Sequence, residues 1–212
     1  MLRHCSSIVR PRIREPMGRQ KIVLATFNRD KVRELRLMLA HLPLDIVGFF
    51  DIPGARVAPE AGRTIDENAL EKARAAHDMT GLTCIADDTG LEVDALGGKP
   101  GIYAARFAGP GASYTDNVSR LLEVLQGREQ RTARFRTACV ACMTNGREVH
   151  AEGVLEGRIT GMRRGENGFG YDPIFEVGDT GRTLAEMSLA EKNVISHRAL
   201  AMQALIVKMG LG

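Results

Sequence analysis

No stretch of this chain approaches the roughly 20 apolar residues that a membrane-spanning helix requires, so the protein is expected to be soluble and to work without a membrane. Cysteine is scarce, with four in 212 residues: Cys5, Cys84, Cys139 and Cys142. Three of them lie in apolar, strand-like runs, and a chain of this size needs no disulfide framework. They are expected to be reduced core thiols of a cytoplasmic protein. Cys139 and Cys142 form a C-x-x-C, but in a strand an offset of three sends the side chains to opposite faces, and no second pair or nearby histidine completes a zinc site. The pattern G-x-x-x-x-G-K-[ST] is absent, which excludes a P-loop. Internal repeats, low-complexity segments and an interdomain linker are also missing.

A basic body is lacking too. The formal net charge is +3, but residues 1 to 20 hold five arginines (Arg3, Arg10, Arg12, Arg14, Arg19) against Glu15 alone. The rest carries 24 basic and 25 acidic residues, a net −1, which argues against a nucleic-acid partner. The leader MLRHCSSIVRPRIREP is arginine-rich like a transit peptide but has no convincing apolar face. Residues 1–18 therefore read as a disordered extension or an over-called start, and residues 19–212 as one domain. With 44% apolar residues that domain can bury a sizeable core.

What is present centres on Thr83 to Phe107. Thr83 to Ala86 read as a short buried strand ending in two adjacent carboxylates, Asp87 and Asp88. Side by side they repel, and burial desolvates them, so at least one is expected to meet a cation or a hydrogen-bond donor. Thr89-Gly90 adds a hydroxyl and a permissive backbone, and Gly97 to Gly101 make a second bend carrying Lys99. These are ingredients of a metal-assisted phosphate site; acidic, glycine-rich turns alone would look the same.

Upstream, Lys21 to Thr26 read as a buried strand, and Val32, Leu35, Met38 and Leu39 recur at helical spacing. The turn between them, Thr26-Phe27-Asn28-Arg29-Asp30-Lys31, sets hydroxyl, amide and ammonium donors beside the free N–H groups of a helix start, a seat for an anion. Asn28 or Asp30 acting as a plain cap is the alternative. A strand is expected near Asp45 to Phe50, followed by a Pro/Gly-punctuated loop containing Glu60. Thr64 to Glu67 match a capping box, which gives Glu67 a structural role. In the helix that follows, Asn68 and Lys72 stand four apart and can reach one ligand.

Downstream, Asp116 to Leu125 have amphipathic helical spacing. Thr132 to Met143 and Glu148 to Leu155 read as strands turning at Asn145-Gly146, so the sheet is mixed. Phe169 and Tyr171, within the glycine-rich turn from Arg163 to Pro173, offer rings for a base; a plain aromatic turn before a strand at Ile174 to Val177 would look the same. A second capping box, Ser188 to Glu191, opens the last helical region, which carries Lys192, Ser196, His197 and Arg198. An exposed polar face is the alternative reading there.

The order of five motifs narrows the choice. T-x-N-x-x-K after the first strand, E-x-G-x-T-x-x-E-N-A-x-x-K-A, A-D-D-[ST]-G-L-x-V-x-A-L-x-G-x-P-G-x-Y-x-A-R, G-x-x-G-F-G-Y-D-P-x-F and E-K-x-x-x-S-H-R together resemble the inosine/xanthosine triphosphate pyrophosphatase family, across Lys21 to Met209. The resemblance implies an α/β fold with an elongated central mixed sheet flanked by helices, two lobes around a nucleotide cleft, and a homodimer. It implies Asp88 as general base and, with Glu60, as holder of Mg²⁺. It assigns Thr26, Phe27, Asn28, Arg29, Asp30, Lys31 and Lys72 to the triphosphate, and Thr89, Phe169, Gly170, Tyr171, Asp172, Lys192, His197 and Arg198 to substrate, with His197, Arg198 and the aromatic turn serving the base. Thr89 stands where the family commonly has Ser and keeps the hydroxyl; the leader has no counterpart.

The implied reaction is Mg²⁺-dependent hydrolysis of ITP, dITP or XTP between the α and β phosphates, which cleanses the nucleotide pool and yields a nucleoside monophosphate and pyrophosphate. A related pyrophosphatase for modified pyrimidine nucleotides, a nucleotide-binding module without hydrolysis, and a structural interaction protein are the rival readings.

Overall fold

The computed structural model describes residues 19–56, 62–178 and 180–212; Glu60 and the N-terminal leader lie outside the described residues. Among those described are seven strands and five α-helices. In chain order they are β1 (Gln20–Leu24), α1 (Arg29–Met38), β2 (Leu44–Gly48), α2 (Ile65–Thr80), β3 (Thr83–Val93), β4 (Pro100–Gly101), α3 (Tyr114–Val124), β5 (Thr132–Cys142), β6 (Glu148–Ile159), β7 (Phe175–Val177), α4 (Leu189–Ile195) and α5 (His197–Met209). The sheet order is β2-β1-β3-β5-β6-β7, with the short β4 also paired to β3. Parallel pairing joins β2, β1 and β3, and antiparallel pairing joins the rest, so the sheet is mixed as expected.

Local chemistry sets most boundaries. The Asn28 side chain accepts from the backbone N–H groups of Asp30 and Lys31 and starts α1. Thr64 caps α2 through the Glu67 N–H, but the Glu67 carboxylate accepts from the Arg63 N–H at 2.6 Å, so the expected reciprocal box is displaced by one residue. Gly81, at φ 67°, closes that helix in a left-handed turn. Two expectations are corrected. The strand that opens at Thr83 does not end at the paired acids; it runs on to Val93, because β5 pairs with it from Cys84 to Val93. The last helical region is two helices, because Ser196 turns extended (ψ 152°) and its hydroxyl accepts from the Ala199 N–H to start α5.

Three buried clusters organise the packing. Ile22, Leu24, Ile85 and Cys139 face α1 and α5 on one side of the sheet. Val23, Cys84, Ala86, Val140 and Cys142 lie with Ala69, Ala73 and Ala76 of α2 on the other. Cys139 and Cys142 thus point to opposite faces, as a strand requires, while Cys84 and Cys142 are cross-strand partners. The third cluster fills the distal lobe beyond the long β5–β6 hairpin, around Leu121, Leu125, Ile159, Ile174 and Phe175. Each fully buried Leu or Ile contributes about 1.5–3 kcal/mol of transfer free energy, enough to hold that lobe around its own core.

α5 crosses β6 at Gly153, where a Cβ would overlap His197 O and stand 2.5 Å from Ala201 N. Both are backbone atoms of α5, so no rotamer change relieves the clash. Gly153→Ala should destabilise the fold by about 3 kcal/mol, the upper end for overpacking, and calorimetry should show Tm falling by roughly 10 °C. An unchanged Tm would mean that α5 is not seated against this strand.

The cleft follows from topology. From β1 the chain leaves through α1 to β2 on one side, then returns through α2 on the opposite face to β3 on the other side. The C-terminal end of β1 is therefore a switch point, where open α/β sheets leave a crevice. The last β1–β3 link is Ala25 N to Ile85 O at 2.7 Å, and β4 rejoins the same edge only at Leu91 and Glu92. Between them Asp87 to Gly90 border the space between the lobes.

Candidate active site

The sheet pleat separates the two adjacent acids. Successive residues of β3 face opposite sides, so Asp87 points towards α1 and α5 and Asp88 towards α2. The Asp87 side chain is only 1% exposed; Lys31 Nζ donates to its Oδ2 at 2.8 Å and Arg198 Nε at 3.2 Å. Burial alone would push the Asp87 carboxyl up, but these two cations hold it well below the usual carboxylate range. Asp88 lines the cleft. Its Oδ1 accepts from Lys72 Nζ at 2.6 Å and its Oδ2 from Asn68 Nδ2 at 3.2 Å. Of the pair, Asp88 is the acid placed to meet a ligand.

Lys31 and Lys72 approach from opposite faces of the sheet. Their ammonium groups reach the same backbone oxygen, Asp87 O, at 3.5 and 3.4 Å. Two positive charges are thus focused on the open edge, beside the turn Thr26 to Asn28, where polyphosphate oxygens can replace that carbonyl as acceptors.

Behind the lysines runs a buried ionic chain. Arg198 Nη1 donates to Glu34 Oε2 at 2.7 Å, Lys192 Nζ donates to Glu34 Oε1 at 2.8 Å and to Asp172 Oδ2 at 2.6 Å, and the Phe169 N–H donates to the same Asp172 oxygen at 3.2 Å. Burial opposes the Lys192 charge, yet Asp172 and Glu34 raise its pKa and keep it protonated. The chain ties α1, α4, α5 and the glycine-rich turn together, and it fixes the Phe169 backbone through Asp172.

The cleft encloses about 270 Å³ and has an apolar lining at one end. The rings of Phe135 and His197 stack with centroids 4.5 Å apart; Phe169 lies 5.7 Å from Tyr114, with the Arg198 guanidinium 5.3 Å over its face. The Tyr171 hydroxyl is spent on Ala104 O at 2.8 Å, so this ring braces the lobe and offers no free donor to the cleft.

Thr26, Phe27, Asn28, Lys31, Lys72, Asp88, Thr89, Phe169, Gly170, Tyr171, Asp172, His197 and Arg198 are brought together around this one cavity. Three other expected site residues stand apart from it. Arg29 lies over the Phe50 ring, 4.5 Å from its centroid. Asp30 and Lys192 border a smaller neighbouring cavity of about 120 Å³. The run of Lys192, Ser196, His197 and Arg198 is not an exposed polar face, since all four are buried. Glu34, Tyr114, Asn117 and Phe135 escaped the sequence reading. For Glu34 a signal existed, since it stands three residues after Lys31 and directly beside the apolar stripe of α1. Tyr114, whose hydroxyl accepts from Asn28 Nδ2 at 2.9 Å, had none, because the contact spans the two lobes.

Magnesium is the cofactor that the motifs imply. Among the described residues no three His, Cys, Asp or Glu side chains cluster as a preformed metal cage. Mg²⁺ takes one or two carboxylates and completes its shell with water and substrate phosphates. Asp88 supplies a hard oxygen donor at the cleft, so the donor set fits.

The sequence profile of the Ham1 family matches residues 22–208. A dITP/XTP pyrophosphatase from Bacillus licheniformis is 45% identical over 188 residues, covering 88% of this chain and 96% of the relative. One from Symbiobacterium thermophilum is 47% identical over 195 residues, covering 91% and 96%. Among solved structures, the Staphylococcus aureus Ham1 protein superposes with a TM-score of 0.80 at 36% identity, covering 90% of this chain and 98% of its own. With a profile match across nearly the whole folded body, and relatives this close over nearly their full length, the chain belongs to the Ham1 family.

Proposed function

We propose that this chain is a nucleoside triphosphate pyrophosphatase that hydrolyses dITP, ITP and XTP to the nucleoside monophosphate and pyrophosphate. The observation that carries the reading is the convergence of Lys31 and Lys72 on one edge oxygen beside the Asp88 carboxylate, in a cleft whose lining also includes Phe135, Phe169, His197 and Arg198. Relatives at 45–47% identity that bear the name dITP/XTP pyrophosphatase support it.

Lys31 and Lys72 bind the phosphate chain, with Thr26 to Asn28 at the start of α1 beside them. Asp88 orients a water molecule and accepts its proton as the water oxygen attacks the α-phosphorus. The bond from that phosphorus to the bridging oxygen breaks, and the electron pair leaves with pyrophosphate, whose charge the lysines stabilise. Mg²⁺, held by Asp88 and, by family resemblance, Glu60, would screen the phosphate oxyanions and polarise the α-phosphoryl group. His197 and Arg198 face the base, with Phe169 and Tyr171 beside it. Residues 19–212 are the catalytic domain, which works as a cytoplasmic homodimer on free nucleotides. The near-neutral charge of the body supports free nucleotides over a nucleic-acid partner.

A panel of ITP, dITP, XTP, GTP, ATP and a modified pyrimidine triphosphate tests the reading. Pyrophosphate should be released with Mg²⁺, and kcat/KM for ITP should exceed that for ATP by about 10²-fold or more. Release of orthophosphate, or preference for the pyrimidine, would overturn it.

A further inference from the structure

A line of hydroxyl groups connects the two residues that face the base. Arg198 Nη2 donates to Thr89 Oγ1 at 3.4 Å, Thr89 Oγ1 lies 2.7 Å from Thr137 Oγ1, and Thr137 Oγ1 lies 2.6 Å from His197 Nδ1. Thr137 is fully buried and does not line the cleft. His197 is buried against Phe135, and its other ring nitrogen, Nε2, has no protein partner among the described residues and is not sealed from the cleft.

Two proton arrangements fit these contacts. In the first, Thr89 donates to Thr137 and Thr137 donates to His197 Nδ1, which leaves the proton of a neutral ring on Nε2. In the second, His197 Nδ1–H donates to Thr137 and Thr137 donates to Thr89, so the one protein acceptor left to the Thr89 proton among the described residues is Asp87 Oδ2, which is 3.5 Å away. That distance lies beyond the 2.5–3.0 Å of an ordinary O–H···O bond. Asp87 Oδ2 already accepts from two cations and gains little from a third, distant donor. The first arrangement places every hydroxyl proton in a short bond.

We infer that Thr137 is a specificity-positioning residue: through the Thr89–Thr137 pair it fixes His197 as the Nε2–H tautomer, so the ring offers the cleft an N–H that donates to a purine 6-oxo group and rejects a 6-amino group. The inference rests on the reading that His197 faces the base. Burial, with Arg198 beside it, pushes the His197 pKa well below its ordinary value, so the ring stays neutral near pH 7 and has a tautomer to fix. A donor set against the adenine amino group leaves both unpaired beneath the bound base, which is the strong form of discrimination.

Long-range ¹H–¹⁵N NMR on the full chain labelled at histidine, without nucleotide, reads the tautomer directly. His197 should be protonated at Nε2 and bare at Nδ1 in the wild type; the reverse pattern overturns the inference, whatever the substrate proves to be. In Thr137→Val, which keeps shape and removes the hydroxyl, the ring should show a mixture of tautomers, and the ITP-to-ATP ratio of kcat/KM should fall about 10-fold or more. Thr137→Ser should restore both. If Thr137→Val does not fold, the wild-type spectrum and Thr137→Ser still decide. An unchanged ratio in a folded Thr137→Val with altered tautomers overturns the link to specificity, whereas a wild type that releases no pyrophosphate from ITP overturns the functional reading and leaves the tautomer assignment standing on its spectrum.

Discussion

Asp88→Asn should lower kcat/KM for dITP by about 10²–10⁴-fold, the range expected when a positioned general base is lost, with the fall borne mainly by kcat. The side chain occupies the same volume, and its remaining oxygen can still accept from Lys72 Nζ or Asn68 Nδ2, both of which hold Asp88 in place. Folding should survive, so Tm within a few degrees of wild type is part of the prediction. The matched control is Asp87→Asn. Asp87 is sealed behind Lys31 and Arg198 and meets no water from the cleft, so its replacement acts on stability and on the placement of both cations. If Asp88→Asn turned over normally while Asp87→Asn lost its activity with folding intact, the assignment of the two acids would be reversed. The pH response has a definite sign. Because the folded pKa of Asp87 is depressed, its ion pairs stabilise the fold at every pH above the ordinary carboxylate range and lose that contribution only as pH falls through and below it.

The elements themselves were legible in the sequence because each carries its own local signal. The apolar run from Lys21, the capping residues Asn28, Thr64 and Ser188, and the Asn145-Gly146 turn mark boundaries that the structure reproduces within a few residues. Legibility ended where partners distant in sequence decide. Asp87-Asp88 resembled a strand end because acids and glycine favour turns, but a full antiparallel partner in β5 carries the strand through them. Their repulsion, the reason for suspecting a site, is relieved by the pleat that sends one carboxylate to each face of the sheet. The split at Ser196 was hidden for the opposite reason, since Ser is tolerated inside a helix and only its extended backbone shows that it starts a new one. Local spacing picked out Lys192, Ser196, His197 and Arg198 as polar groups on a helix, but not that all four are buried. Their counter-charges, Glu34, Asp87 and Asp172, arrive from three other segments.

Glu34→Ala should be the most destabilising of the substitutions that remove a charge, by about 3–5 kcal/mol, because it strips the shared carboxylate from two largely buried cations. Lys192 and Arg198 are each 5% exposed and meet Glu34 at 2.8 and 2.7 Å. With Asp87 and Asp172 left against Lys31, Lys192 and Arg198, the buried network becomes one anion short. For a chain of this size such a loss lowers Tm by roughly 10 °C or more. Arg134 provides the contrast. It also meets three carboxylates, Glu92, Asp94 and Glu156, at 3.0 to 3.4 Å, but it is 30% exposed, and water and salt screen those pairs. Arg134→Ala should therefore cost less than about 1 kcal/mol, less still at high salt, whereas the Glu34 effect should persist there. Activity separates the two further. Releasing Arg198 Nη1 frees the guanidinium that stands over Phe169 and to which the proposed function assigns the base, so Glu34→Ala at a temperature where it remains folded should raise KM for ITP, and Arg134→Ala should not. Equal melting shifts for the two variants would show that Glu34 is hydrated and that the chain from Asp87 to Asp172 does not hold the lobes in register.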